Sequence, residues 1–331
     1  MYSDRGAPKL ARALWTEQAG AARIRSEPLR APGPDEALVA TQWSAISRGT
    51  ERLVFEGRVP PSEYARMRAP MQEGDFPFPV KYGYCAVGVV EEGPAEWRGW
   101  TVFCLHPHQD RFVAPTDRLR PTPPSTPARR ATLAANMETA LNAVWDSGAA
   151  PGDRIVVIGA GVLGLLITSL VARLPGAEVD VVDVEPARRE TAESFGARFG
   201  APAEIEATAQ ADVVFHTSGS AEGLTLALAC AGLEGTIVET SWFGDAKPAL
   251  PLGGAFHANR LRLISSQVGH VAASRRPRWS YARRLDKALA LLDDSRFDAL
   301  LTREVAFDDL PRELASILAP GAPGLGAVVR Y

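Results

Sequence analysis

Asp153 to Asp183 reads DRIVVIGAGVLGLLITSLVARLPGAEVDVVD, and its pattern decides the architecture of the chain around it. The β-branched run Ile155 to Ile158 enters the turn Gly159-Ala160-Gly161-Val162-Leu163-Gly164, and an apolar helical pattern through Leu166, Ile167, Leu170 and Val171 follows. A strand, a glycine turn and a helix are expected. A second run, Val179-Asp180-Val181-Val182, ends on Asp183, nineteen residues after Gly164. A dinucleotide fold places the acid for its adenosine ribose about 20 residues on.

The turn residues have separable roles. Gly159 permits the tight turn, Gly161 lets the backbone approach a pyrophosphate, and Gly164 lets the helix pack closely on the strand. The N–H groups opening the helix at Val162 and Leu163, with the positive end of its dipole, form an anion site without a lysine. The GxxxxGK[ST] pattern of a nucleoside-triphosphate loop is absent here. NAD(H) is the expected cofactor, because Asp183 would accept hydrogen bonds from ribose hydroxyls and repel a 2′-phosphate. Arg188 and Arg189 soften that preference.

The 331 residues suggest about two domains at ~100–200 residues each. A chain that is 46% hydrophobic and 23% charged, with net charge −3, has no general attraction to nucleic acid or anionic membrane. No uninterrupted apolar segment reaches the ~20 residues of a membrane span, and MYSDRGAPKLARAL has no signal-peptide core. A cytoplasmic enzyme is expected. Cys85, Cys104 and Cys230 are too few and too scattered for a disulfide framework or a CxxC metal lobe. Each reads as a small buried apolar residue.

Taken in order, Met1 to about Pro8 reads as a loose tail, and Leu10 to Trp15 and Ala37 to Trp43 as strands. Ser44 to Glu51 is expected to be a polar turn. Arg58 to Pro79, rich in Pro, Met and Arg, reads as a loop over the substrate. Val80 to Glu91, Thr101 to Leu105 and Arg111 to Ala114 complete a β-rich domain, and the prolines of Pro121 to Pro127 a connector. A helical pattern from Ala128 to Ser147 leads into the glycine unit. After Asp183, helices near Arg188–Phe195 and Ala221–Ala231 alternate with strands at Ala211–Phe215, Gly235–Thr240 and Leu261–Ser266. That alternation means an α/β fold with a doubly wound parallel sheet. A helix over Trp279–Asp294 and a last strand within Gly324–Tyr331 close the chain.

This order resembles the medium-chain dehydrogenase/reductase superfamily, which contains the zinc alcohol dehydrogenases. Ser47-Arg48-Gly49-Thr50-Glu51 looks like the family's Cys-x-[ST]-[DE] catalytic turn with one residue inserted. Phe78-Pro79-Val80-Lys81-Tyr82-Gly83-Tyr84-Cys85 looks like its Pro-x-x-x-Gly-His-Glu, and Asn136-Met137-Glu138-Thr139-Ala140-Leu141 like the interdomain helix. The resemblance implies a GroES-like catalytic domain over 1–135, a Rossmann dinucleotide-binding domain over 136–269, and a return to the catalytic domain over 270–331. It also implies a homodimer joined through the Leu261–Ser266 strand.

The departures concern metal. Ser47 stands where the family has its first zinc ligand, Tyr84 where it has a histidine, and the third position falls near Ala135. Catalytic zinc needs about three protein ligands plus an open position, so no metal is expected, and the chain resembles the zinc-independent members, including bacteriochlorophyllide dehydrogenase-like proteins. His106-Pro107-His108 could contribute to another metal set, but reads more simply as two polar residues at a strand end.

By the same resemblance, Ser47, Thr50, Tyr84 and Glu138 are the catalytic candidates, with Glu51 or Glu138 as a possible base. A tyrosine, with a reference pKa near ~10, needs a neighbouring cation to act as base at neutral pH, and Lys81 is near in sequence. Arg48 is placed by the resemblance near the pyrophosphate. Thr139 of the interdomain helix, Ser218 and Ser241 at the sheet edge, and Gln267 beside the carboxamide, complete the expected cofactor contacts. The activity implied is NAD(H)-dependent hydride transfer to or from a secondary alcohol or ketone of a fairly bulky small molecule. Reduction of an activated carbon–carbon double bond, or NAD binding without catalysis, are the alternatives. The arginines Arg275, Arg276, Arg278, Arg283 and Arg284 read as a solvated face or an anion site.

Overall fold

Alternation sets the first strand: Ala11, Ala13, Leu14 and Trp15 of Leu10–Gln18 (β1) are buried, and the strand pairs antiparallel with Ala21–Pro28 (β2). The computed structural model describes residues 9–206 and 210–331. The tail expected over Met1 to about Pro8 lies outside the described residues. Glu36–Ile46 (β3) leads into the helix Arg48–Phe55 (α1), and Glu73–Gly74 (β4), Val80–Lys81 (β5), Ala86–Glu92 (β6), Thr101–Cys104 (β7), Arg111–Pro115 (β8) and Arg120–Pro121 (β9) follow. Two helices, Ala128–Ala131 (α2) and Ala134–Ser147 (α3), carry the chain onward.

Next come Arg154–Ile158 (β10), Val162–Val171 (α4), Glu178–Val182 (β11), Arg189–Ser194 (α5), Arg198–Gly200 (β12) and Pro202–Glu206 (α6). Ala211–His216 (β13), Ala221–Cys230 (α7), Ala231–Glu239 (β14), Arg262–Ser265 (β15) and Tyr281–Leu291 (α8) complete this part. The closing elements are Leu301–Ala306 (β16), Leu310–Leu318 (α9) and Gly326–Arg330 (β17).

Two compact units result, one running through Ala135 and resuming at Leu292–Tyr331, the other Asn136–Leu291. The return expected at 270 thus begins at 292. Residues 270–291 belong to the second unit because the buried Arg284 on α8 bonds Glu138 and Asn142 on α3.

In the second unit six parallel strands lie in the order β12-β11-β10-β13-β14-β15. Counted from β10, that is the 3-2-1-4-5-6 order of a Rossmann sheet. Val156, Ile158, Val182, Val214 and Ile237 from the sheet bury against Leu224 and Leu228 of α7. The first unit holds a seven-stranded sheet, β16-β17-β3-β6-β7-β9 with β8 on β3, and a four-stranded one, β2-β1-β5-β4.

Ala21–Pro28, Pro202–Glu206, Leu301–Ala306 and Leu310–Leu318 form elements that the sequence pattern left unassigned, and two further elements depart from it. The polar turn over Ser44 to Glu51 is instead the end of β3 followed by α1, whose apolar Leu53, Val54 and Phe55 are buried only in its last turn. Strand β12 is three residues long, too short for an alternating pattern to announce it. The three cysteines are buried and form no disulfide, as expected. Among the described residues no helix is long and apolar enough to cross a membrane.

Candidate active site

In the second unit the site grows from the glycine turn. Gly159 adopts φ +103, and a Cβ on Gly164 would lie 1.9 Å from the Gly159 carbonyl oxygen, so the helix can start here only on a glycine. Gly161 caps α4 without a side-chain bond, and a Cβ placed on it would meet nothing within 4 Å. The space needed for a phosphate is therefore open before the half-buried Val162 and Leu163. Asp183 is fastened to this turn: its Oδ2 accepts from the Ala160 N–H at 2.6 Å and its Oδ1 from the Glu185 N–H at 2.9 Å. Each carboxylate oxygen keeps capacity for a further donor such as a ribose hydroxyl.

The neighbouring strand end closes against the turn. Thr217 Oγ1 donates to the carbonyls of Ile158 and Gly159, at 3.0 and 2.8 Å. Exposed Ser218 follows, and Ser241, at the end of β14, accepts from the Gly219 N–H at 3.1 Å. Exposed Gln267, just past β15, accepts from the Gly269 N–H at 2.7 Å. Thr139 lies half-buried on α3, and Arg188 half-buried after β11. The turn, Asp183, Ser218 and Ser241 thus form one continuous edge at the carboxyl ends of the parallel strands.

Sequence reasoning missed His216 and Glu239 at this edge, and it read Arg284 only as one of a run of arginines. Arg284 donates to the carbonyls of Val268 (2.5 Å) and His270 (3.3 Å), to Asn142 Oδ1 (2.6 Å) and to Glu138 Oε1 (2.9 Å). This corrects the reading of Glu138 as a base, because its carboxylate is the buried counter-ion of Arg284. Burial raises its pKa above the ordinary carboxyl value, against the charge and hydrogen bond of Arg284. A single fully buried arginine inside a run of surface arginines leaves no local signal to set it apart.

In the first unit a hydroxyl cluster forms where β3 passes into α1. Tyr84, partly exposed, lies beside the side chains of Ser47 and Thr50, both half-buried, close enough for their hydroxyls to lower its pKa. An aromatic row, Tyr64, Phe76, Tyr82 and Tyr84, with successive ring centroids 5.7, 5.8 and 5.9 Å apart, fixes the phenol from behind. Desolvation by burial, then the neighbouring Cys85 and Glu51, push the Tyr84 pKa well above its usual value, the Ser47 and Thr50 bonds opposing. Lys81 does not serve it as a partner cation: it is fully buried and bonds Glu27 and Gln109 (both 2.9 Å) and Glu73 (2.6 Å). Tyr84 is a neutral hydrogen-bond donor.

Glu51 is held beneath this cluster. Its Oε1 accepts from the Ser47 N–H at 2.7 Å, and its Oε2 lies 3.0 Å from His108 Nε2. His108 Nδ1 reaches Ser44 Oγ at 2.7 Å, which meets Tyr331 OH at 3.0 Å. His106 turns away, stacked on Phe112 at 3.8 Å, so the two histidines serve different structural partners. Among the described residues no three His, Cys, Asp or Glu side chains are grouped to hold a metal ion. Ser47, Tyr84 and Ala135 do not fit zinc, lacking thiolate, imidazole and carboxylate alike.

Arg48, the residue that the resemblance assigns to a pyrophosphate, is engaged within the first unit. Its guanidinium donates to the carbonyls of Ala322 (2.6 Å), Gly324 (3.1 Å) and Leu325 (2.9 Å), clamping that segment to the start of α1.

Residues 162–286 match the family model of the zinc-binding dehydrogenases. D-guloside 3-dehydrogenase of Escherichia coli (strain K12) is 31% identical over 181 residues, half of this chain and half of that protein. The chain thus spans about half the length of such a curated relative. Two solved structures share the fold over nearly the whole chain. One, from Sinorhizobium meliloti 1021, is described as a zinc-binding dehydrogenase bound to NADP (TM-score 0.77, 19% identity, 98% of this chain and 100% of that one). The other is a short chain alcohol dehydrogenase of Escherichia coli CFT073 complexed with NADH (TM-score 0.76, 14% identity, 97% and 99%). Residues 162–286 are thus similar to the zinc-binding dehydrogenases, and nearly the whole chain shares the fold of these solved structures.

Proposed function

We propose that this chain is an NAD(H)-dependent oxidoreductase that interconverts a secondary alcohol and a ketone on a fairly bulky small molecule without a catalytic zinc. The observation that carries the cofactor half is the glycine turn in a 3-2-1-4-5-6 parallel sheet with Asp183 bonded to it. A bound nicotinamide supplies the hydride. The N–H groups opening α4 take the pyrophosphate and Asp183 the adenosine ribose, while Thr139, Arg188, Ser218, Ser241 and Gln267 are further proposed contacts. The NADP and NADH complexes among the structural neighbours support a nicotinamide dinucleotide of either kind, and Asp183 is our reason for preferring NAD(H).

Without a Lewis acid, charge growing on the substrate oxygen needs a protein donor. Tyr84, kept protonated by burial and oriented by Ser47 and Thr50, is the donor we propose. A phenol in this state polarises a carbonyl and can hand its proton to the alkoxide formed on reduction, because an alkoxide is the stronger base. The same property favours a second reading, in which Tyr84 polarises the carbonyl of an enone and the carbon–carbon double bond is reduced. Product analysis separates the two. We further propose a cytoplasmic homodimer.

The test is single-turnover hydride transfer in Tyr84→Phe and Thr50→Val, alongside NADH binding and elemental analysis. Loss of a donor that acts in the transition state lowers the rate by roughly 10²–10³, with NADH affinity unchanged and well under one zinc per chain. Full rates in both variants, or a stoichiometric zinc whose removal stops turnover, defeat the proposal.

A further inference from the structure

Strands β13 and β14 run into matching tripeptides, His216-Thr217-Ser218 and Glu239-Thr240-Ser241, and lie in register with His216 opposite Glu239. The two threonines behave alike, each bonding a carbonyl on the adjacent strand: Thr217 those of Ile158 and Gly159, Thr240 that of His216. The outer residues then form one chain of hydrogen bonds. Glu239 Oε1 accepts from the Ser241 N–H at 2.6 Å, and Oε2 lies 2.7 Å from His216 Nδ1. His216 Nε2 lies 2.7 Å from Ser218 Oγ. His216 is fully buried, whereas Ser218 is exposed at the sheet edge. Helix α7 leaves room for the trio with Gly223, where a Cβ would stand 2.2 Å from Ser218 Oγ and 2.9 Å from His216 Nε2.

Proton placement follows from the donor and acceptor types. A carboxylate only accepts, so His216 Nδ1 carries a hydrogen, and in the tautomer with a single ring hydrogen Nε2 accepts. The Ser218 hydroxyl hydrogen therefore points inward; its oxygen accepts from the Ser220 N–H at 3.3 Å and lies 3.1 Å from Ser220 Oγ, whose hydroxyl can turn away, which leaves one acceptor position for a ligand. Serine, histidine and carboxylate in this sequence also describe a nucleophilic triad. Acyl transfer, however, requires N–H donors aimed at a developing oxyanion. Here the Gly219 N–H bonds Ser241 Oγ, the Ser220 N–H bonds Ser218 Oγ itself at 3.3 Å, and the Gly223 N–H bonds Ser220 Oγ at 2.9 Å. The geometry favours positioning over nucleophilic attack.

Strand order says what is positioned. Asp183 follows β11 on one side of the glycine turn, and Ser218 follows β13 on the other. A dinucleotide with its adenosine ribose at Asp183 and its pyrophosphate over the turn carries its second ribose toward β13 and β14. We propose that His216 and Glu239 are positioning residues that hold Ser218 as the hydrogen-bond acceptor for a hydroxyl of that second ribose. This rests on the dinucleotide reading given above.

The experiment compares NADH with ADP, which lacks the second ribose, by calorimetric titration of the full chain. Ser218→Ala and His216→Leu each weaken NADH binding about 3- to 10-fold, the weight of one hydrogen bond, and leave ADP unchanged. The double variant is no weaker than either single one, because His216 acts through Ser218. His216→Gln, whose amide can donate to Glu239 and accept from Ser218, retains NADH affinity. Equal losses for NADH and ADP would reduce the trio to scaffolding and overturn the inference, as would unchanged NADH binding in His216→Leu. Labelling of Ser218 by a fluorophosphonate would overturn it in favour of a nucleophile. A wild-type chain that binds ADP but neither NADH nor NADPH defeats the cofactor reading itself, and the inference with it.

Discussion

Arg284 Nε lies 2.9 Å from Glu138 Oε1 although the two residues are 146 positions apart, and both side chains are buried. The same guanidinium bonds the Val268 and His270 carbonyls, so one ion pair anchors both α8 and the segment after β15. Arg284→Met leaves a carboxylate buried without its counter-ion. The expected loss is about 3–5 kcal/mol in urea unfolding, and the pair Glu138→Leu with Arg284→Met recovers much of it. A loss below ~1 kcal/mol for the single variant contradicts the assigned role.

Asp183 bonds the glycine turn and is the proposed discriminator between the two nicotinamide dinucleotides. Asp183→Ser removes the charge that repels a 2′-phosphate. Titration with NADH and NADPH should show the preference for NADH reduced or reversed. Tighter NADPH binding by the wild-type chain, or unchanged discrimination in the variant, contradicts it.

The legible part of this fold was the part written in one contiguous stretch. Strand, turn, helix and acid follow one another from Asp153 to Asp183, and local periodicity with glycine chemistry suffices to read them. Helix α1 was hidden because its buried residues crowd into one turn, too few for a helical repeat to show. At the candidate site, Ser47, Thr50 and Tyr84 were reached through a resemblance, and the structure brings their side chains together. The Glu239–His216 contact depends on parallel register across two strands. Its trace in the sequence, Thr-Ser repeated after both residues, has meaning only once those strands are known to be adjacent. Lys81 misled because proximity in sequence says nothing of direction: its ammonium is taken up by Glu27, Glu73 and Gln109.

His106 supplies a pH dependence of stability. Burial, the dominant cause, holds its pKa down to about 3 from 6.5. The folded state keeps the ring neutral while the unfolded chain takes up a proton below about 6.5, so the unfolded state binds more protons between those values. Stability contributed by this group is present above pH 6.5 and lost as pH falls toward 3, at up to ~1.4 kcal/mol per pH unit. Denaturant unfolding across that range should show a shallower acid limb in His106→Phe, which keeps a ring against Phe112. Parallel limbs in variant and wild type contradict it.

Strand β15 ends its sheet with Arg262, Leu263 and Ser265 exposed. Pairing of this edge across a two-fold axis would bury it. Light scattering is expected to give twice the 35.5 kDa chain mass. A mass near 35.5 kDa at micromolar concentration excludes the dimer.

Strand β17 lies between β16 and β3, and its pairing with β3 runs from Ala327 opposite Ile46 to Arg330 opposite Trp43. During synthesis this has an asymmetric consequence. Residues 136–291 form a continuous unit and can fold as soon as they leave the ribosome, whereas β3, paired early by β6 and β8, waits for β17 until some 280 further residues have been made. The Glu36–Ala40 half of β3 is paired early by β8, so the backbone left as an open edge through that interval is the short stretch Trp43–Ile46.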